Sequence, residues 1–270
     1  MDSSTLLSIK NFSDFTGIKQ STLRYYDEIG LLQPVARGEN NYRYYAPVQI
    51  IILNFIRVLI NLNVPLSTVK ELMKDRNPES ILDLLARQEI KLDAQLRALQ
   101  TSYSIVHTLR DNIQNGLFAK KDVISVREME ETYVILGDPA VFEENGSFYK
   151  PFITFCNQAE EKRINLDYPV GGYHENMDNY LKAPGQPDRF FSQDPHGNTL
   201  RKAGKYMVGY TQGYYGVFGD FALKLTDYAK AHDLVFDGPV YVIYLLDEIC
   251  TTDPDQYLVQ VSVGVKKKRV

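Results

Sequence analysis

The chain has 270 residues and a mass of 30.9 kDa, with 44% hydrophobic and 24% charged residues and only two cysteines. This composition excludes a disordered chain and a disulfide-stapled peptide, and the length predicts about two domains and a connector. The net charge of −4 excludes a protein that is basic throughout, but the first 76 residues carry a small positive balance and residues 120–270 a negative one. The longest apolar run, Ile50 to Ile60, is broken by Asn54 and Arg57 and falls short of the roughly 20 apolar residues of a membrane span. Met1-Asp2-Ser3-Ser4 has no basic or apolar region of a secretory signal, so a cytoplasmic protein without membrane association is expected. Cys156 and Cys250 lie far apart outside any Cys-x-x-Cys pattern, which predicts two buried or half-buried thiols and no structural metal.

The first seventy residues read as short helices separated by Gly17, Gly30, Pro34, Pro47 and Pro65. Asn11 or Ser13 caps a first helix running through Phe15, Thr16 to Lys19 forms a turn, and Gln20 to Ile29 forms a second helix stopped by Gly30. Helix, tight turn and helix is the layout of a unit that places its second helix in a DNA major groove. The aromatic run Tyr42-Arg43-Tyr44-Tyr45 after Gly38 reads as a β-wing, and a further helix opens at Pro47. Arg43 between tyrosines is suited to a phosphate, while one of Tyr44 and Tyr45 is expected in the core.

Thr22-Leu23-Arg24-Tyr25-Tyr26-Asp27-Glu28-Ile29-Gly30-Leu31-Leu32, then Tyr42-Arg43-Tyr44-Tyr45, then Val64-Pro65-Leu66-Ser67 resemble the MerR family of transcription regulators over about the first 75 residues. The resemblance implies that Arg24, Tyr25, Tyr42 and Arg43 touch the DNA backbone, with Lys19 and Thr22 near base edges at the start of the second helix. Ile60 stands where relatives often carry a basic phosphate contact, and Arg57 or Asn61, about one turn away or less, is the substitute. By the same resemblance the protein sits on a promoter, distorts the double-stranded DNA and makes it usable by RNA polymerase.

The middle of the chain carries Leu85, Leu92, Leu99, Val106 and Ile113 at every seventh position. This predicts one helix from Pro78 to Asn115-Gly116, roughly 55 Å long at about 1.5 Å per residue. Two copies crossing as an antiparallel coiled coil would bury the stripe, and such a homodimer has the two-fold symmetry of a pseudo-palindromic operator. Packing of the stripe on the chain's own C-terminal domain is the alternative. Residues 76–120 hold no cysteine, which argues against the metal sensing that thiols on this helix perform in relatives.

From Val123 the pattern turns to strand and helix: strands near Val126 to Leu136 and Val170 flank a helix from Phe148 to Lys162. A second round then has strands at Tyr206 to Tyr210, Pro239 to Leu246 and Tyr257 to Val265, with a helix from Gly219 to Ala231. Tyr133 and Tyr206 mark an internal offset of about 73 residues, so a duplicated strand-helix-strand domain with one antiparallel sheet and helices on one face is expected. A groove between the halves, lined by Tyr149, Phe152, Tyr173, Phe191, Tyr210, Val242, Tyr244, Glu248, Tyr257 and Gln260, would take a small aromatic molecule, cationic or neutral. The segment from Lys182 to Lys205, rich in Pro and Gly, reads as a long loop whose Phe190-Phe191 pair caps the groove or packs at an interface.

Gly238-Pro239-Val240-Tyr241 and Tyr244-Leu245-Leu246-Asp247-Glu248 resemble the GyrI-like effector-binding domains of multidrug-responsive regulators. That resemblance implies acidic residues where this chain has Val242 and Gln260, leaving Asp247 and Glu248 to supply negative charge at the rim. The fold class is thus α+β: a winged helix-turn-helix over 1–76, a dimerisation helix over 77–119 and an effector-binding domain over 120–270. A ligand-responsive DNA-binding regulator with no cofactor, metal or catalytic residue is the leading reading. A small-molecule hydrolase is the first alternative, disfavoured because His174, His196 and His232 fall on turns or a helix end with no Ser-His-Asp or Cys-His set. A sequestering binder is the second.

Overall fold

A computed structural model describes residues 6–143, 148–161 and 165–268, and the chain divides into two compact units, 1–98 and 99–270.

In the first unit, β1 (Leu7–Ser8) leads into α1 (Ile9–Thr16), capped by Ser8, whose Oγ accepts the Asn11 N–H at 3.2 Å. The cap is Ser8, where Asn11 or Ser13 was expected, because strand β1 ends at Ser8 and leaves its hydroxyl over the first helical turn. Gly17, at φ +69°, closes α1 in the left-handed conformation that a glycine adopts without strain. α2 (Gln20–Glu28) follows, then the hairpin of β2 (Ala36–Arg37) and β3 (Arg43–Tyr45), with β3 paired to β1 on its other edge. α3 (Gln49–Asn61) and α4 (Leu66–Lys74) complete a core built on Phe12, Leu23, Leu53, Ile56, Leu59 and Val69, all fully buried. Tyr45 is the core tyrosine of the wing, stacked on Phe12 with ring centroids 4.5 Å apart.

α5 (Pro78–Phe118) is a single 41-residue helix that passes Gly116 and ends two residues later. Leu84 joins the core of the first unit, whereas Leu92, Leu96, Leu99, Tyr103 and Val106 are all exposed. At its far end Asn112 donates to Gln193 Oε1 at 2.8 Å, and Gly116 lies against Leu246, where an added Cβ would come within 2.7 Å of the leucine side chain.

The second unit continues with β4 (Ile124–Met129), β5 (Thr132–Pro139), α6 (Tyr149–Glu161), β6 (Val170–His174), α7 (Met177–Lys182), β7 (Arg189–Ser192) and β8 (Thr199–Arg201). Then come β9 (Gly204–Gln212), α8 (Phe221–Ala231), β10 (Leu234–Leu246) and β11 (Leu258–Lys267). The expected end of α6 at Lys162 lies outside the described residues. Among the described residues the strands form one eight-stranded antiparallel sheet in the order β4-β9-β11-β10-β6-β7-β5-β8.

Within that order the duplication is visible. β9, α8, β10 and β11 make one half with strand order β9-β11-β10, and β5, α6, β6 and β7 make the other with order β5-β7-β6. The halves meet at β6 and β10, where Tyr173 stands opposite Tyr241 and Gly172 opposite Val242. The segment read as a loop therefore supplies β7, the counterpart of β11, and Phe190 and Phe191 are buried strand residues. Side chains alternate across the sheet. Val240, Val242, Val259, Val261 and Val263 face α8 and pack with Phe221 and Leu225, while Tyr241, Ile243, Tyr206, Val208 and Tyr210 form a separate core on the opposite face. Full burial of each such side chain contributes about 1.5 to 3 kcal/mol.

Candidate functional site

On the first unit, Lys19 is the residue before α2, Arg24 and Tyr25 are exposed on that helix, and Tyr42 is exposed at the wing. Thr22 is half-buried near the helix start. The wing is held to α2 by a group that the sequence reading passed over. Asp27, buried on α2, accepts from Arg37 Nη2 through both carboxylate oxygens (2.9 and 2.7 Å) and from Arg43 Nε at 2.6 Å. Arg43, expected to serve a phosphate, thus spends Nε on this clamp and keeps its two terminal nitrogens for other partners. Arg57, on α3, donates from Nη1 to the Thr16 carbonyl at 3.2 Å and so ties α3 to the end of α1. The signal that marks Asp27 in the sequence is a lone acid on an otherwise neutral-to-basic helix face, ten residues before Arg37 and sixteen before Arg43.

The second unit contains a cavity of about 350 Å³ on the helix-bearing side of the sheet. α6 supplies Tyr149 and Phe152, β7 supplies Phe190, the β6–β10 seam supplies Gly172, His174, Val242 and Tyr244, and α5 closes it with Leu109, Asn112 and Ile113. Aromatic rings stack along one wall: Phe148 lies 5.5 Å from Phe152 and 4.7 Å from Tyr215, which is in turn 4.7 Å from Tyr244. Two glycines make room for the seam. A Cβ on Gly171 would lie 2.6 Å from the Val242 carbonyl oxygen, and one on Gly172 would press on Pro187 from 3.1 Å.

Of the ten ligand residues expected from sequence, Tyr149, Phe152, Val242, Tyr244 and Glu248 line this cavity. Tyr173, Phe191 and Tyr210 belong to the core on the other face, and Gln260 projects to that face as well, since it stands opposite Tyr210 in the β11–β9 ladder. The correction follows from strand alternation: each of these residues is one position out of phase with the cavity side. Tyr257 packs on Tyr214 and Tyr215 and does not line the cavity. His174 is placed on strand β6, not on a turn, and Phe148, Phe190, Tyr168 and Tyr215 join the lining. Cys250 lines the cavity in an exposed position, contrary to the expected burial, and Cys156 is half-buried on α6 with its thiol pKa pushed up by burial.

The charged lining among the described residues consists of Asp167, Asp247 and Glu248, with no lysine or arginine. Tyr215 donates its hydroxyl to both oxygens of Glu248 at 2.8 Å, and burial together with that carboxylate raises the phenol pKa well above its ordinary value. Burial, with Glu248 adding repulsion, also raises the pKa of Asp247 against the lowering effect of the Ile249 amide that it accepts. Deep in the cavity, His174 is 1% exposed, and burial lowers its pKa to about 4, so the ring is neutral at pH 7.

This burial has a sign that can be checked. The unfolded imidazole takes a proton near pH 6.5 and the folded one only near 4, so the unfolded state binds more protons in between. The stability is fully present above pH 6.5 and is lost as pH falls toward 4, by up to about 3 kcal/mol in total. Thermal melts from pH 7 to 4 should therefore fall more steeply for the wild type than for His174→Phe, and parallel curves would refute the assignment.

No group of three or more His, Cys, Asp or Glu side chains suited to a metal occurs among the described residues, and no described helix is long and apolar enough to cross a membrane. A helix, a tight turn, a second helix with exposed basic and aromatic residues, and a wing make the first unit a DNA-reading module of the winged helix-turn-helix class. The family model described as MerR HTH family regulatory protein matches residues 7–76. The Bacillus subtilis (strain 168) multidrug-efflux transporter 2 regulator is 24% identical over 261 residues, covering 95% of each chain. The uncharacterized HTH-type transcriptional regulator YyaN of the same strain is 32% identical over 126 residues, covering 47% of this chain and 82% of that one. A cryo-EM structure of the EcmrR–DNA complex in EcmrR-RPo aligns over 97% of this chain and 100% of that one, at 17% identity and a TM-score of 0.42, a similarity too loose to transfer domain geometry. The chain belongs to the MerR family of helix-turn-helix regulatory proteins, which are DNA-binding transcription regulators.

Proposed function

We propose that the protein is a cytoplasmic, drug-responsive regulator of a promoter, with residues 1–76 reading DNA, 77–119 dimerising and 120–270 binding a small aromatic cation in the manner of a GyrI-like domain. The observation that carries the ligand class is the cavity: aromatic walls, three carboxylates and no basic side chain among its described lining residues. Aromatic faces and a group of carboxylates both favour a flat organic cation, and the exposed Glu248, oriented by the Tyr215 hydroxyl, provides a negative charge without needing the glutamate expected at Val242. The matched multidrug-efflux transporter regulator supports a drug-like effector. On DNA, Lys19, Thr22, Arg24, Tyr25, Tyr42, Arg43 and Arg57 are the proposed contacts, with a homodimer straddling a pseudo-palindromic site and RNA polymerase engaging the distorted promoter. Neither the hydrolase nor the sequestering reading gains a specific observation, since the Tyr215–Glu248 pair has no nucleophile hydrogen-bonded to it among the described residues.

Fluorescence anisotropy with the protein's own upstream DNA over a salt series tests the DNA half. Arg24→Ala should weaken binding evenly across sequences and reduce the salt slope by about 1; an unchanged slope would remove Arg24 from the phosphate contacts. For the ligand half, Glu248→Gln should weaken binding of tetraphenylphosphonium about tenfold by calorimetry, the size of one well-placed charge interaction at the rim. Equal affinity would show that aromatic packing alone retains the cation.

A further inference from the structure

The segment between β9 and α8 carries a tight turn onto the cavity wall. The Val217 N–H donates to the Tyr214 carbonyl at 2.7 Å and closes a turn with Tyr215 and Gly216 at its centre. Gly216 has φ +83°, which the third residue of such a turn takes readily only as glycine. Both central residues line the cavity. The Tyr215 ring stacks on Phe148 with centroids 4.7 Å and planes 24° apart, and it lies 4.7 Å from Tyr244 as well. Its hydroxyl donates to both oxygens of Glu248 at 2.8 Å. A ring against two aromatic faces, with its polar end on a carboxylate, is in the surroundings that suit an aromatic cation. Here the chain itself fills that place. The phenol has one proton for two oxygens and no charge, so it leaves the Glu248 charge uncancelled.

The backbone of the turn is lightly held. Gly216 rests on Gly185 through bare main chain, so closely that a Cβ on Gly185 would lie 2.6 Å from the Gly216 Cα. Val217 is exposed, and the Tyr214 hydroxyl meets the Tyr149 hydroxyl at an exposed position. β9 ends at Gln212 and α8 begins at Phe221, so moving the turn breaks neither the β9 ladder nor the helix. Phe218 stays buried and anchors its far side.

We propose that Tyr215 is an internal stand-in for the effector: the slot against Phe148 and Tyr244 is the subsite for the effector's aromatic ring, and a planar cation enters by expelling Tyr215 and pairing with Glu248. The inference rests on the reading of the cavity as the effector site and adds to it a seat for the ring and a cost of entry. The Tyr215 side chain spans both ring contacts and the carboxylate, so a ligand that uses the same three groups takes the same place. The exchange favours a cation, which gains the Glu248 charge that a phenol cannot neutralise. A neutral aromatic replaces stacking with stacking and gives up the hydrogen bond, so the internal occupant acts against neutral ligands.

The test uses the full-length protein, titrated calorimetrically with N-methylquinolinium and with quinoline, which is neutral at pH 7. Tyr215→Ala empties the slot and should bind both probes about tenfold more tightly, the worth of the contacts that no longer have to be displaced. Tyr215→Phe should gain less, because its ring still fills the slot. If Tyr215 is simply part of the ligand's wall, both substitutions remove favourable contacts and weaken binding, and that result would overturn the proposal. Hydrogen exchange at residues 214–217 gives an independent readout in the unaltered protein. Saturating N-methylquinolinium should accelerate exchange there as the turn loses its seat, whereas protection would mean that the turn closes over the ligand and is not expelled. Binding of N-methylquinolinium that depends on Glu248 but does not improve in Tyr215→Ala would keep the effector site and overturn the stand-in. A gain for quinoline alone in Tyr215→Ala would keep the slot and remove the cation.

Discussion

Asp27→Ala should detach the wing from α2 and reduce affinity for promoter DNA about a hundredfold, an effect equivalent to about 3 kcal/mol. The carboxylate is buried, and its side chain is 3% exposed against 20% for Arg43 and 42% for Arg37. Removing it leaves the half-buried Arg43 without a counter-charge and frees Arg37, and breaking such a buried pair from one side costs about 3 to 5 kcal/mol. The partial exposure of Arg37 places the expected cost at the lower end, since water screens that arm of the clamp. Besides the clamp, the hairpin is held by its own two-strand pairing with the Gly38 N–H to Tyr42 carbonyl bond at 2.8 Å, by the β3–β1 pairing and by the Tyr45–Phe12 stack. Hydrogen exchange at Arg37 to Tyr45 should accelerate, and anisotropy should report the lost affinity. Asp27→Asn retains an acceptor oxygen and should fall between. Wild-type exchange rates in the alanine variant would mean that β1 and the Tyr45–Phe12 stack, not the carboxylate, secure the wing. This outcome would differ from that of Arg24→Ala, which removes a contact with the phosphates and leaves the wing in place.

What the sequence made legible and what it hid divide along the range of the interactions involved. The first helix, the turn at Gly17 and the second helix are set by neighbouring residues, and the seven-residue period of α5 lies entirely within one segment, so both are visible in linear order. β7 was hidden because Arg189–Ser192 pairs with β5 and β6, far away in sequence, while the surrounding prolines and glycines give the local signal of a loop. The cavity lining shows the same limit. Alternation correctly separates Val242 and Tyr244 from Tyr241 and Ile243, but which side of each strand faces the helices is a property of the whole sheet. Phe190 and Phe191 are indistinguishable by composition, yet only Phe190 lines the cavity. His174 and Asp27 were passed over for another reason: each draws its significance from surroundings contributed by other elements, the closed cavity in one case and two wing arginines in the other.

The exposed stripe of α5 carries the other large expectation: Leu92→Glu combined with Leu99→Glu should convert a dimer into a monomer. Leu92 and Leu99 are 45% and 68% exposed in the single chain, and Leu96, Tyr103 and Val106 continue the same stripe. A monomer seldom leaves so long an apolar strip in water. An antiparallel crossing of two such helices would cover it, and every substitution then counts twice. Burying a leucine contributes about 1.5 to 3 kcal/mol when it starts fully exposed. Four half-exposed leucines per dimer therefore represent about 3 to 7 kcal/mol, before the cost of bringing four carboxylates together. The dimer dissociation constant should rise at least a thousandfold, and sedimentation equilibrium at micromolar protein should find monomers. Affinity for a two-fold operator should collapse with it, because each head alone contacts only half of the site. The head fold should survive, since its core is closed by Leu84 and the helices before it. Arg87→Gln supplies the contrast: Arg87 pairs with Asp83 at 2.8 Å on the same helix, both side chains more than half exposed, and its loss should leave assembly untouched. If the double glutamate variant stays dimeric and binds its promoter as the wild type does, the stripe is not the dimer face, and the two-fold reading of the operator must find its symmetry elsewhere in the chain.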